Sequence, residues 1–159
     1  MNQDIGRAIV FSIPVVSATV SLVMISLDIT RSSNTVNRKI HYGIITVYFL
    51  MMLYWSGMVM HSVARDTFIT YLPVFFSSFS FIPVFLYLNT YIITEAGERK
   101  SFPIYHFIFP SCLTIIICMI AFIVPFQQRW LAIYDNEASL TTTIIDLTFI
   151  VCILLNILY

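Results

Sequence analysis

Polar and apolar positions in this chain separate into long blocks instead of alternating over a short period. Residues 8 to 27, 40 to 64, 67 to 94 and 101 to 128 hold no Asp, Glu, Lys or Arg, and each block is 20 or more residues long. Roughly 20 apolar residues, rising about 1.5 Å each in a helix, cross the hydrocarbon layer of a bilayer. The pattern predicts four full spans, at about 8–27, 42–64, 68–94 and 104–126, and a fifth at 140–159. These are expected to be helices, because backbone amides in lipid must bond within their own segment. Runs that are continuous and not alternating exclude a β-barrel. The expected fold is therefore all-α, a polytopic transmembrane helix bundle forming one domain over 1–159, with no soluble domain.

Between the spans lie a basic loop, SSNTVNRK, a tight turn at Arg65-Asp66, a polar loop, EAGERKSF, and a longer loop, QQRWLAIYDNEAS. Lys and Arg in short loops are retained on the cytoplasmic side. With the N-terminus outside, Arg31, Arg38, Lys39, Arg99 and Lys100 fall in the cytoplasm and Arg7, Arg65 and Arg129 outside. Five against three favours that orientation, and an odd number of spans then delivers the C-terminus to the cytoplasm. Tyr71, Trp130 and Tyr134 would sit at the outer interface, and Tyr42, Tyr91 and Tyr105 at the inner one, where amphipathic rings settle. Arg7 ahead of an apolar run resembles the start of a signal peptide, but the run continues to Leu27, too long for such a segment.

Composition sharpens the class. Hydrophobic residues make up 59% of the chain and charged ones 10%, with zero net charge, whereas soluble domains carry about a quarter charged residues. Nothing here offers the basic face that binding to nucleic acid phosphates requires. Cys112, Cys118 and Cys152 fall inside spans with no CxxC pair and no histidine at metal-ligand spacing, and read as small packing residues. No GxSxG, HExxH or phosphate-cradling glycine loop is present, so neither an enzyme nor a cofactor is expected.

Three residues stand out as candidates for ligand binding. Asp146 is a carboxylate well within a span, where its charge costs about 2.5–3.5 kcal/mol on insertion scales at mid-membrane, unless span 5 starts near Leu140 and leaves it about two turns deep, near a helix N-terminus that favours negative charge. His61 and Arg65 are four residues apart at the outer end of span 2 and would share a helical face. Together with Arg129, Asp135 and Glu137 they belong to the same side, and His61 or Arg65 is expected to pair with Asp146 across an outward-facing polar pocket. The alternative is an ordinary interfacial charge cluster with snorkelling side chains. Trp55 could stack on a ligand or pack against a small neighbour. Pro14, Pro73, Pro83, Pro110 and Pro125 each remove a backbone donor inside a predicted span and tend to kink it. In span 3 they act either as a hinge or as a static bend.

The stretches PVFLYLNTYI and EAGERKSFPIYHFIFP, through Pro83, Tyr87, His106, Phe107 and Pro110, resemble the multi-span N-terminal region of bacterial membrane-tethered AraC-type regulators. The basic loop after span 1 falls where that family places a cytoplasmic loop. The resemblance implies a bacterial inner-membrane sensor and tether, the front part of a longer protein. Two further spans and a cytoplasmic helix-turn-helix domain would follow, and through that domain alone it would reach DNA, as a homodimer on paired half-sites. The competing expectation is a small transporter or channel subunit, favoured by Asp146, Asn89 and the proline-rich span 3.

Overall fold

The computed structural model describes residues 2–31, 35–94, 102–135 and 140–158, and over them the chain is helical apart from short connections. The helices are α1 (Asn2–Arg31), α2 (Thr35–Val63), α3 (Arg65–Thr70), α4 (Leu72–Thr94), α5 (Ile108–Ile123), α6 (Phe126–Tyr134) and α7 (Leu140–Leu158). A 3₁₀ turn, Ile104–Phe107, leads into α5. Asp4–Arg31, Arg38–Val63, Leu72–Thr94 and Ile104–Ile123 are long and apolar enough to cross a membrane, while α7 carries a shorter apolar stretch, Thr142–Leu154. The outward faces are apolar too, with Ile13, Met24, Ile104 and Phe122 well exposed, which suits a lipid surround. Arg99, Lys100 and Glu137 lie outside the described residues.

Helices α1 and α2 form an antiparallel hairpin. Ala18 and Val47 are buried, the Thr19 hydroxyl donates to Met52 Sδ at 3.5 Å, and the Phe11 and Trp55 rings lie 5.9 Å apart. Trp55 also meets Tyr54 edge-on at 5.4 Å, so its role is packing. At one end of the hairpin His41 Nε2 and Asp28 Oδ2 are 3.0 Å apart. At the other end Arg65 Nη2 lies 3.8 Å from Asp4 Oδ2. Helix α2 then packs closely on α4 through its two glycines. A Cβ on Gly57 would overlap the base of the Phe75 side chain, and one on Gly43 would overlap the Asn89 amide. Asn89 is buried, and its Oδ1 has no hydrogen-bond partner.

Two connections differ from the sequence expectation. The segment expected to turn at Arg65-Asp66 breaks instead at Ala64, whose φ of −138° and ψ of 65° end α2, and the chain re-enters a helix at once as α3. The segment expected to be a loop after span 4 contains α6. Span 4 ends at Ile123 and not at 126, because a residue before proline is pushed out of the helical region. Val124 accordingly has φ −85° and ψ 123° ahead of Pro125.

The prolines divide by position. Pro14 and Pro83 lie within helices. Pro73 is the second residue of α4, Pro110 the third of α5, and Pro125 the residue before α6. Helix starts leave backbone donors unused, so the missing N–H is least costly there. The residues that carry the family resemblance meet at the opposite end from His61: Pro83 and Pro110 are buried. There the Tyr87 and His106 rings lie 4.9 Å apart, and Phe107 meets Phe85 edge-on at 5.5 Å.

Candidate functional site

Phe68, Ile69, Leu72 and Phe75 form the buried core where α3 and α4 join, and Met60, Phe76, Trp130, Ile133 and Tyr134 pack around it. Phe68, Leu72, Phe75 and Phe79 follow a helical stripe that carries from α3 through the break into α4. Phe68 and Phe75 lie parallel at 5.8 Å with only 7° between their planes. Tyr54 of α2 stacks on Phe79 at 4.4 Å, and Phe149 of α7 meets Phe76 edge-on at 5.8 Å.

Beside this core is a partly open cavity of about 240 Å³ lined by α2, α3, α4, α6 and α7. Rings supply most of its wall, and His61 and Asp146 are its ionisable residues apart from the Tyr54 phenol. The structure thus brings two of the three expected site residues to one cavity. Arg65 does not line it, because the break at Ala64 removes it from the face of α2 that holds His61. Its guanidinium lies 4.8 Å from the centre of the Tyr134 ring and beside Asp4. Among the described residues no ion pair joins Asp146 to His61 or Arg65.

Helix α6 holds the site in place. The Tyr134 ring stacks on His61 at 5.1 Å while Phe68 meets the imidazole edge-on at 5.0 Å, which fixes its orientation. The Tyr134 hydroxyl donates to the His61 carbonyl at 3.2 Å. Burial pushes the Tyr134 phenol up to about 12, with Arg65 pulling it down and Asp66 pushing it up to smaller extents. One turn earlier, Arg129 is buried, and among the described residues no carboxylate pairs with it. Its Nε donates to the Val124 carbonyl and its Nη1 to the Ile69 carbonyl, both at 3.1 Å. Burial lowers its pKa, but a guanidinium remains charged at neutral pH.

The Ile69 carbonyl needs that donor. In a continuous helix it would accept from the residue four positions on, which is Pro73 and has no N–H. Val124 is likewise a helix end whose carbonyl lacks an intrahelical partner. A cation at two such ends satisfies both and complements the negative pole of each. Sequence reasoning placed Arg129 among the outer-side polar groups, as pocket lining or as interfacial charge, and missed this clamp. The available signal was an apolar face on 126–134, with Phe126, Trp130 and Ile133 at helical spacing.

No family model, curated protein or solved structure matches this chain. What the site can do follows from its own chemistry. Its walls carry an imidazole, a phenol and a carboxylate among aromatic rings. Among the described residues, no group of three or more His, Cys, Asp or Glu is placed to hold a metal ion. Walls of this kind suit a small, largely apolar molecule with a few polar contacts.

Proposed function

We propose that this chain is a membrane-embedded sensor module that receives a small, mainly apolar ligand in the cavity between α2, α3, α4, α6 and α7. The observation that carries this reading is the convergence of His61 and Asp146 on one aromatic-walled cavity. Two ionisable groups that are costly in apolar spans are most readily accounted for by something they contact. The bias of Lys and Arg supports a cavity facing the outside, since Arg7, Arg65 and Arg129 share its end of the bundle. Joined to a cytoplasmic helix-turn-helix domain, as the sequence resemblance implies, occupancy would set DNA binding on the other side of a bacterial inner membrane.

The experiment is cavity filling. Ala132 lies on the wall and is buried, so Ala132→Phe in the full chain is expected to abolish saturable uptake of small aromatic ligands while leaving helical content by circular dichroism unchanged. Equal uptake by this variant would remove the cavity from the function. Solute flux across vesicles that is lost in Asp146→Asn would replace the sensor reading with a transport one.

A further inference from the structure

We infer that the ligand is a small organic cation of the phenylalkyl-ammonium class; this rests on the ligand-receiving reading above. Three observations favour a cation. The carboxylate comes first: Asp146 is the acidic residue on the wall among the described residues, and it lies six residues into α7, about 9 Å along the helix axis from its start.

The second observation is that, among the described residues, none of the protein's own cations at this end pairs with Asp146. Arg65 sits between Asp4 and the Tyr134 ring, and Arg129 is bonded to two backbone carbonyls. His61 is held between Tyr134 and Phe68, and among the described residues neither it nor Arg7, an exposed cation at the same end, pairs with Asp146. Asp146 borders the cavity while remaining exposed, and a carboxylate there with no counter-ion among the described residues repels anions and attracts a cation.

The third is the rest of the wall. Tyr54, Phe68, Phe75, Phe76, Phe79 and Phe149 all line the cavity. Ring faces carry the negative lobe of the aromatic quadrupole, and sets of rings hold quaternary ammonium groups by this attraction. Size agrees: a cavity of about 150 Å³ accepts benzene, so about 240 Å³ leaves roughly 90 Å³ for a methylated ammonium head.

The test compares benzyltrimethylammonium with neopentylbenzene, its uncharged isostere with carbon in place of nitrogen. Radiolabelled forms of each are dialysed to equilibrium against the full chain in zwitterionic phosphatidylcholine nanodiscs, with empty nanodiscs subtracted. The cation is expected to bind saturably and at least roughly tenfold more tightly than the isostere. Asp146→Asn is expected to weaken the cation about tenfold and leave the isostere unchanged. Phe149→Leu, which keeps an apolar side chain but removes a ring, is expected to weaken the cation selectively should Asp146→Asn fail to fold. Equal or tighter binding of the isostere, or cation binding insensitive to both substitutions, overturns the inference while the cavity remains a ligand site. Binding of neither compound overturns the sensor reading beneath it.

Discussion

Replacing Arg129 with methionine removes a charge from the interior and, with it, the donors to the Ile69 and Val124 carbonyls. Hydrogen bonds from a charged donor contribute about 1.5–3 kcal/mol each, and a buried carbonyl left without a partner costs about 1–3 kcal/mol. Relief of the guanidinium's desolvation offsets part of that, since buried ions are expensive in themselves. The net expectation is a loss of about 2–4 kcal/mol. Arg129→Lys should fall between, because one ammonium on a flexible stem cannot bond in two fixed directions as the guanidinium fork does. The assay is reversible unfolding of the purified chain in mixed micelles titrated with dodecyl sulfate, followed by circular dichroism. Pro73 supplies a second check. Pro73→Ala returns a backbone N–H four residues after Ile69, so the Arg129→Met penalty should shrink by about 1 kcal/mol in that background. Stability of Arg129→Met within about 0.5 kcal/mol of the parent, a typical surface-substitution effect, would refute the clamp.

Gly57→Val should cost about 1–3 kcal/mol by forcing α2 away from Phe75, measured in the same titration. Tyr134→Phe should lose about 0.5–1.5 kcal/mol with the bond to the His61 carbonyl. It should also alter the alkaline limb of stability. The Tyr134 phenol rises from 10 to about 12 in the folded chain. Between those values the folded state keeps a proton that the unfolded state releases, so this contribution is complete below pH 10 and fades as pH climbs to 12. Phenylalanine should abolish that component of the slope, and an unchanged alkaline limb would show that the phenol is not buried as described.

The gross architecture was legible because charge-free runs of 20 or more residues report the thickness of a hydrocarbon layer. They report that thickness and not helix length, which is why α1 and α2 extend past the expected spans through polar residues such as Asp28 and Arg38. Helix α6 was hidden by its short length and by Gln127, Gln128 and Arg129, which read as loop. His61 and Asp146 were legible as ionisable groups in apolar surroundings. The rings between them were not, because with 14 Phe and 9 Tyr in the chain an aromatic residue carries little positional information. Arg65 was misplaced for a local reason: spacing on a helical face fails when the helix ends between the two residues, as it does at Ala64.

The close contact of α2 with α4 has a consequence for how guests reach the interior. Gly57 and Gly43 let those two helices touch, which makes that side of the cavity a seam without slack. Helix α7 meets α4, α5 and α6 far less extensively than α1 meets α2, and its Phe149 and Asp146 border the same cavity. On the ligand-receiving reading proposed above, the path of least resistance would run sideways past α7, from the acyl chains. Apparent association rates should then scale with how strongly a compound concentrates in the bilayer, and aqueous concentration alone would be a poor guide to how quickly the site fills.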